Sequence, residues 1–381
     1  MDNHSTTRVD PAVLEVMLPF FSETYGNAAS KNHTYGQEAE SAVTVVRTTV
    51  AKAIKAKPQE IIFTSGATEA VNLAIKGVAE ANQAKGKHFI TLTTEHKAVL
   101  DSFQWLENHG YETTLLSVKA DGLIDMESLR AAIRPDTVLV AVMAANNEIG
   151  VLQPLDAIGQ VCRENEAFFL TDATQALGKV PLDVEKMQID LLACSAHKFY
   201  GPKGVGALYV RRSLPRVPVS PIIDGGGHEA GLRSGTLNVP AIAGLGKALE
   251  LSLRNMAKEE KRLSGLRNKL EERLLAEIPD SHINGSKEHR LAGNLNIHLP
   301  KVASEALMIA LREDIAISSG SACTTAAVEP SHVLKALGLS DEAVYSSVRF
   351  GLGRFNTEEE VEYAMDRTIE EYQRLAEFAL V

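Results

Sequence analysis

Cysteine is scarce in this 381-residue chain, which holds three: Cys162, Cys194 and Cys323. An odd count without C-x-x-C spacing excludes a disulfide framework and supplies no structural zinc site, so no metal is expected. Long apolar runs are missing as well. No stretch approaches the roughly 20 apolar residues that cross a bilayer. The opening Met1-Asp2-Asn3-His4-Ser5 has neither the basic nor the apolar region of a secretory leader. A soluble, cytoplasmic protein with no membrane partner is therefore expected. Basic charge is in deficit: 39 Lys and Arg against 49 Asp and Glu give −10 at pH 7. That balance argues against general nucleic-acid binding. Repeats and low-complexity segments are absent too. No Gly-Lys-Ser/Thr opens a helix, so a nucleotide P-loop is excluded.

What is present reads as an ordinary globular chain, 45% hydrophobic and 23% charged, long enough for two domains that each bury a core. Val43, Val46, Val50 and Ile54 fall at helical spacing within residues 37–57. From Ile61 to Val210 short apolar runs recur: 61–63, 88–92, 114–116, 138–142, 168–170, 190–194 and 205–210. Helical stretches near 68–84, 97–109 and 154–165 separate most of them. This alternation predicts a largely parallel sheet covered on both faces, with ligands at the carboxyl ends of its strands. After Pro240 the spacing of Leu249, Met256, Leu263 and Leu270 predicts one long helix that bridges two domains and stops at Pro279. The remainder predicts strands around 294–299, 315–318 and 346–350 with helices near 303–312, 330–338 and 357–378, a smaller α+β domain.

Several residues at predicted strand ends are suited to chemistry. Lys198, in Ser195-Ala196-His197-Lys198, falls between two buried strands, where a desolvated amine loses its proton and condenses with an aldehyde such as that of pyridoxal phosphate (PLP). Alone, it reads rather as a loop lysine reaching for water. Ser65-Gly66-Ala67-Thr68-Glu69 joins a strand to a helix, an arrangement that serves either as an anion site, with Thr68 adding a hydroxyl, or as a plain N-cap. Asp172 follows the run 168–170. A buried acid there needs a partner, and a pyridinium nitrogen is one, although metal ligation and N-capping also use such an aspartate. Gln175, three residues on, has an amide to donate to a ring hydroxyl oxygen. His96 follows the run 88–92, where it is placed either to stack and move protons or to cap a helix. Cys323 sits in the small-residue run 318–327, which suits a reactive thiol rather than a core residue, whereas Cys162 and Cys194 read as buried hydrophobes. Arg349, alternating with apolar neighbours on a strand, suits bidentate capture of a carboxylate. Arg354, Arg233 and a surface salt bridge compete with that reading.

Taken together, these motifs resemble the cysteine desulfurases of the NifS/IscS type (group I), within the class V aminotransferase family. The residues that carry the resemblance run nearly the whole chain: residues 2–7, 25–27, 64–69, 94–100, 146–150, 172–175, 197–198, 233–236 and 318–324. The resemblance implies a PLP-dependent fold-type I transferase, with a mainly parallel seven-stranded sheet in a large domain over 13–250. A small domain would comprise 1–12 and 251–381. It implies that Lys198 carries PLP as a Schiff base, and that Ala67, Thr68, Ser195 and His197 hold its phosphate. Thr236 would be contributed across a homodimer interface. Cofactor contacts from His96, Asn147, Asp172 and Gln175 are also implied, with Asn147, Asn27 and Arg349 at the substrate. The implied reaction converts L-cysteine to L-alanine and leaves sulfur as a persulfide on Cys323, with Lys198 and His96 moving protons. Sulfur acceptors would be proteins such as an iron–sulfur scaffold or a sulfur-relay protein. A selenocysteine lyase, an aminotransferase and a non-catalytic sulfur-relay or scaffold-binding protein are the alternatives. The chain departs from the family pattern in having Ala230 where many relatives are basic, and in ending at Val381, so scaffold docking through a C-terminal tail is not expected.

Overall fold

The structure, a computed structural model, describes residues 1–319 and 330–378. Seven strands form one sheet: β1 (Ile61–Thr64), β2 (His88–Leu92), β3 (Glu112–Leu116), β4 (Thr137–Ala141), β5 (Phe168–Asp172), β6 (Leu191–Ser195) and β7 (Gly206–Val210). Their spatial order is β1-β7-β6-β5-β4-β2-β3. The five strands from β6 across to β3 pair in parallel, and β7 runs antiparallel between β6 and β1. Every residue of β1, β2, β4, β5, β6 and β7 is buried, which explains why they read as continuous apolar runs. At the start of β7 the backbone passes so close to the turn after β1 that a Cβ on Gly206 would come within 2.7 Å of the Gly66 Cα. Only glycine fits there.

The first predicted helix begins earlier than its apolar stripe, at Thr34, because the His33 side chain accepts the Gly36 N–H at 3.1 Å. The helices Ala67–Ala81, Lys97–Asn108 and Leu155–Glu164 fall within a few residues of their expected ranges.

Beyond them, Val239–Glu277 forms a single long helix. Its first part, through Leu245, Ala248, Leu249 and Leu251, packs into the core under the large sheet. Its last part, through Leu263, Leu266, Leu270 and Leu274, packs into a separate core that includes Leu295, Ile297, Val348 and Phe350. Between Ser252 and Leu263 none of its residues is buried.

The second core is covered by a three-stranded antiparallel sheet, in which β9 (Asn294–His298) lies between β8 (His282–Ile283) and β10 (Ser347–Gly351). The strand expected at 315–318 is not formed. Ser318 makes a single bridge to Arg349, and residues 315–317 before it pair with no strand, so the pairing does not extend into a ladder. The N-terminal residues thread between the two cores: Asp2 bridges Gly351, and Thr7 and Asp10 bond the backbone of His197 and Tyr200.

Candidate active site

Because six strands of the large sheet point the same way, the turns that leave β1, β2, β4, β5 and β6 gather at one edge. They line a cleft of about 610 Å³ that contains Ala67, Thr68, His96, Asn147, Asp172, Gln175, Ser195, His197, Lys198 and Arg349. Ten of the residues singled out from the sequence thus meet in one cavity. Asn27 is not among them: it is exposed, and its side chain accepts the Ala29 N–H at 2.9 Å. Thr236 is exposed and likewise absent from the lining. Cys323 lies outside the described residues.

Lys198 ends a single helical turn directly after β6. Its Nζ donates to the His4 and Ser5 carbonyl oxygens, both at 2.6 Å. Burial first, and then the Arg349 charge, bring its pKa down to about 8, against the opposing pull of Asp172 and Asp2. A large fraction of this amine is therefore neutral near pH 8, as condensation with an aldehyde requires.

Also lining the cleft, Gly66 precedes the helix Ala67–Ala81 with φ +153 and ψ −178, a backbone region open to glycine alone. The first N–H groups of that helix have no intrahelical acceptor. Ser195, whose Oγ lies 3.6 Å from where a Cβ on Gly66 would stand, lines the cleft with His197, Lys203 and Gly204. Burial, then Lys198 and Lys203, press the His197 imidazole down to about 4, so it is neutral, with Nδ1 at 3.1 Å from Thr6 Oγ1. Glu69, missed from the sequence, is held below the usual carboxylate range. Burial opposes this, but hydrogen bonds from Arg233 and Ser65 outweigh it. Its ion pair with Arg233, at 2.9 Å, leaves the site open to an anion.

Asp172 is buried, and its Oδ1 accepts the Thr174 N–H at 2.9 Å. Among the described residues no cation pairs with it, so a buried carboxylate faces the cleft ready for a cationic partner. His96 caps the next helix, its Nδ1 accepting the Ala98 N–H at 3.1 Å. That bond fixes the tautomer and leaves an Nε2–H. Burial lowers its pKa, against the pull of Asp172. Behind it lies Glu95, also missed: burial, together with Asp172, pushes its carboxyl well up, and its Oε1 accepts the Met143 N–H at 2.8 Å.

On the far wall, the Arg349 guanidinium donates to the Asn147 carbonyl, to Asp2 Oδ1 and to Ser5 Oγ, each at 2.7 Å. Its rivals are committed elsewhere, Arg354 to Asp10 and Glu259, and Arg233 to Glu69. Glu148, next to Asn147, is a further residue the sequence did not point to. It is buried and raised to about 7, with Ser331 Oγ at 2.7 and 2.8 Å from its two oxygens.

An anion turn, an unpaired buried carboxylate and a desolvated amine along one parallel sheet are the donor set of a PLP enzyme. The family model for class-V aminotransferases matches residues 1–364. The chain belongs to the class-V aminotransferase family. Within it, the chain is 55% identical to the cysteine desulfurase IscS of Anaeromyxobacter dehalogenans (strain 2CP-C) over 379 residues, covering all of this chain and 93% of that protein. It is 54% identical to the cysteine desulfurase IscS of Haemophilus influenzae (strain PittGG), across 96% of this chain and 90% of the relative. A solved structure of a NifS-like protein superimposes with a TM-score of 0.90 at 38% identity, covering 97% of each chain. The NifS-like structure shares the fold described above, and no helix among the described residues is long and apolar enough to cross a membrane.

Proposed function

We propose that this chain is a PLP-dependent cysteine desulfurase that converts L-cysteine to L-alanine and stores the sulfur as a persulfide on Cys323. The observation that carries the reading is Lys198, an amine lowered to about 8, set between a phosphate turn and an unpaired Asp172 in a chain similar over its full length to cysteine desulfurases.

The residues present fit PLP. Ala67, Thr68, Ser195 and His197 would take its phosphate, Asp172 its ring nitrogen, His96 a ring face, Gln175 its ring oxygen, and Lys198 its aldehyde carbon. Bound there, PLP supplies a sink for the electron pair released at the substrate α-carbon. Arg349 binds the substrate carboxylate and Asn147 lies beside it. Lys198 Nζ takes the proton from the α-carbon, and the His96 Nε2–H serves proton transfer near the substrate sulfur. Cys323, as thiolate, attacks that sulfur. An S–S bond forms as the C–S bond breaks, and the electron pair left on the β-carbon takes up a proton to give the methyl group of alanine.

The test is mass spectrometry of Cys323 after addition of L-cysteine, with alanine assayed in parallel. One added sulfur atom on Cys323 and equimolar alanine are expected. Alanine formation at the native rate by Cys323→Ser would overturn the persulfide step, and equal release from selenocysteine by that variant would favour a selenocysteine lyase.

The same reading includes a homodimer in which Thr236 completes the partner's phosphate site and Asn27 approaches substrate. Exposed Leu14, Leu18, Phe21, Tyr25 and Val45 support it by offering apolar surface for such contact. Thr236→Ala should weaken PLP retention in a dimer of unchanged mass. It also includes the division into 13–250, and 1–12 with 251–381, together with delivery of sulfur to an acceptor protein. A cytoplasmic location belongs with it, because a thiol nucleophile needs a reducing compartment.

A further inference from the structure

Beside the cleft a second lysine, Lys179, is half-buried without a counter-ion. Lys179 Nζ donates to Gln175 Oε1 at 2.9 Å, and among the described residues no carboxylate lies within ion-pair distance of it. Beyond it is a small cavity of about 40 Å³ whose lining includes His4, Tyr200, Glu259 and Glu260. Glu259 is committed to Arg354 at 2.5 Å. The charged groups acting on Lys179 are thus Lys198 and Arg349, while Glu259 and Glu260 of the long helix line the small cavity with it. A methionine would fill the same space without the cost of desolvating an ammonium. The position therefore calls for an explanation other than packing.

The hydrogen bonds provide one. An ammonium only donates, so the carboxamide atom beside it has to be the oxygen of Gln175. His4 Nδ1 stands 3.1 Å from the same oxygen and must carry the hydrogen. Both lone pairs of Oε1 are then filled. The carboxamide nitrogen is left to donate one N–H to the His4 carbonyl, at 2.7 Å, and retains a second for the cleft that Gln175 lines. The same His4 carbonyl accepts from Lys198.

We propose that Lys179 and His4 together lock the Gln175 carboxamide with its nitrogen toward the cleft, which makes Lys179 a positioning residue for the ring oxygen of the cofactor. The inference rests on the PLP reading. A donor fixed at the ring oxygen, backed by a positive charge, lowers the basicity of the neighbouring Schiff-base nitrogen. Burial, then Lys198 and Arg349, bring Lys179 itself to about 7, so the lock is strongest below neutral pH.

The experiment follows the visible absorption of the lysine-bound cofactor against pH in the holoenzyme. Lys179→Met should move the midpoint up by about one pH unit. Lys179→Arg, which keeps donor and charge, should restore the native midpoint. In a Gln175→Leu background the Lys179→Met shift should shrink to less than half, because the path through Gln175 is gone. His4→Phe removes the Nδ1–H and keeps the backbone carbonyl. It should move the midpoint the same way by a smaller amount, and it tests the lock should Lys179→Met not fold. A native visible band with an unmoved midpoint in both Lys179→Met and His4→Phe overturns this inference alone, as do additive shifts in the double variant. A wild-type protein with no visible band, in which borohydride fixes nothing to Lys198, overturns the PLP reading with it.

Discussion

The two sides of the cleft are held in different ways. On the sheet side each functional group follows its own strand: Thr68 after β1, His96 after β2, Asp172 at the end of β5, Lys198 after β6. Each is placed by local backbone and would keep its position if its neighbours were trimmed. On the far wall the groups hold one another. Arg349 depends on Asp2, Ser5 and the Asn147 carbonyl, partners 202 to 347 positions away. Changes on the sheet side should therefore remove single chemical functions, and changes on the wall should alter binding through shared contacts.

The largest expected effect tests the sheet side. Lys198→Ala should lose bound-cofactor absorbance and lower turnover by about a thousandfold or more, with unfolding by urea unchanged within about 1 kcal/mol. A large loss of stability would show that the residue is structural as well as chemical.

The joint between the two sides comes next. Glu148 has a pKa near 7 in the folded chain against 4.5 as the ordinary value, so the folded state binds more protons through that window. Stability from this group is fully present below pH 4.5 and is lost as pH rises toward 7. Glu148→Gln should then be more stable than the native chain at pH 8 by up to about 3 kcal/mol, and at pH 5 by less than about 1 kcal/mol. Urea unfolding at the two pH values checks this, and a difference of the opposite sign would mean that Glu148 is ionised and paired.

On the wall, Arg349→Lys exchanges a planar fork for a point charge. The kcat/KM for L-cysteine should fall about 30-fold, mostly through KM. A fall confined to kcat would place Arg349 in the chemistry rather than in binding. Asp2→Asn should have the smallest effect and the opposite sign. Its carboxylate already sits on the guanidinium that a substrate carboxylate would approach, so neutralising it should lower KM about threefold. A higher KM would show that Asp2 matters more as a brace than as a competitor.

How much was legible follows the same division. Lys198, Asp172, His96 and the Ser65–Thr68 turn could be read because each lies directly after a strand whose apolar run marks it. Residues 2–7 stood out as a motif, but the contacts of Asp2 and His4, like those of Ser331, were not legible, since the residues they meet are brought near only by packing of the two cores. Lys179 lay four residues beyond Gln175 and was still missed, because nothing in a local pattern says that a lysine lacks a counter-ion. The single bridge at Ser318, where a strand was expected, is a similar case: apolar residues 315–317 announce burial but not a partner. The long helix was read correctly as one element because its leucines keep step across both cores.

That helix also acts as a lever. From Ser252 to Glu277 it extends for about 38 Å at 1.5 Å per residue, and its exposed middle is the part least braced by packing. A tilt of about 3° at the large sheet would carry its far end by about 2 Å, and with it the core on which Arg349 is mounted. The reach between the carboxylate grip and the amine is thus a matter of bending stiffness, and a substrate one carbon longer could be accommodated or refused by changes on a solvent-facing stretch that touches neither group.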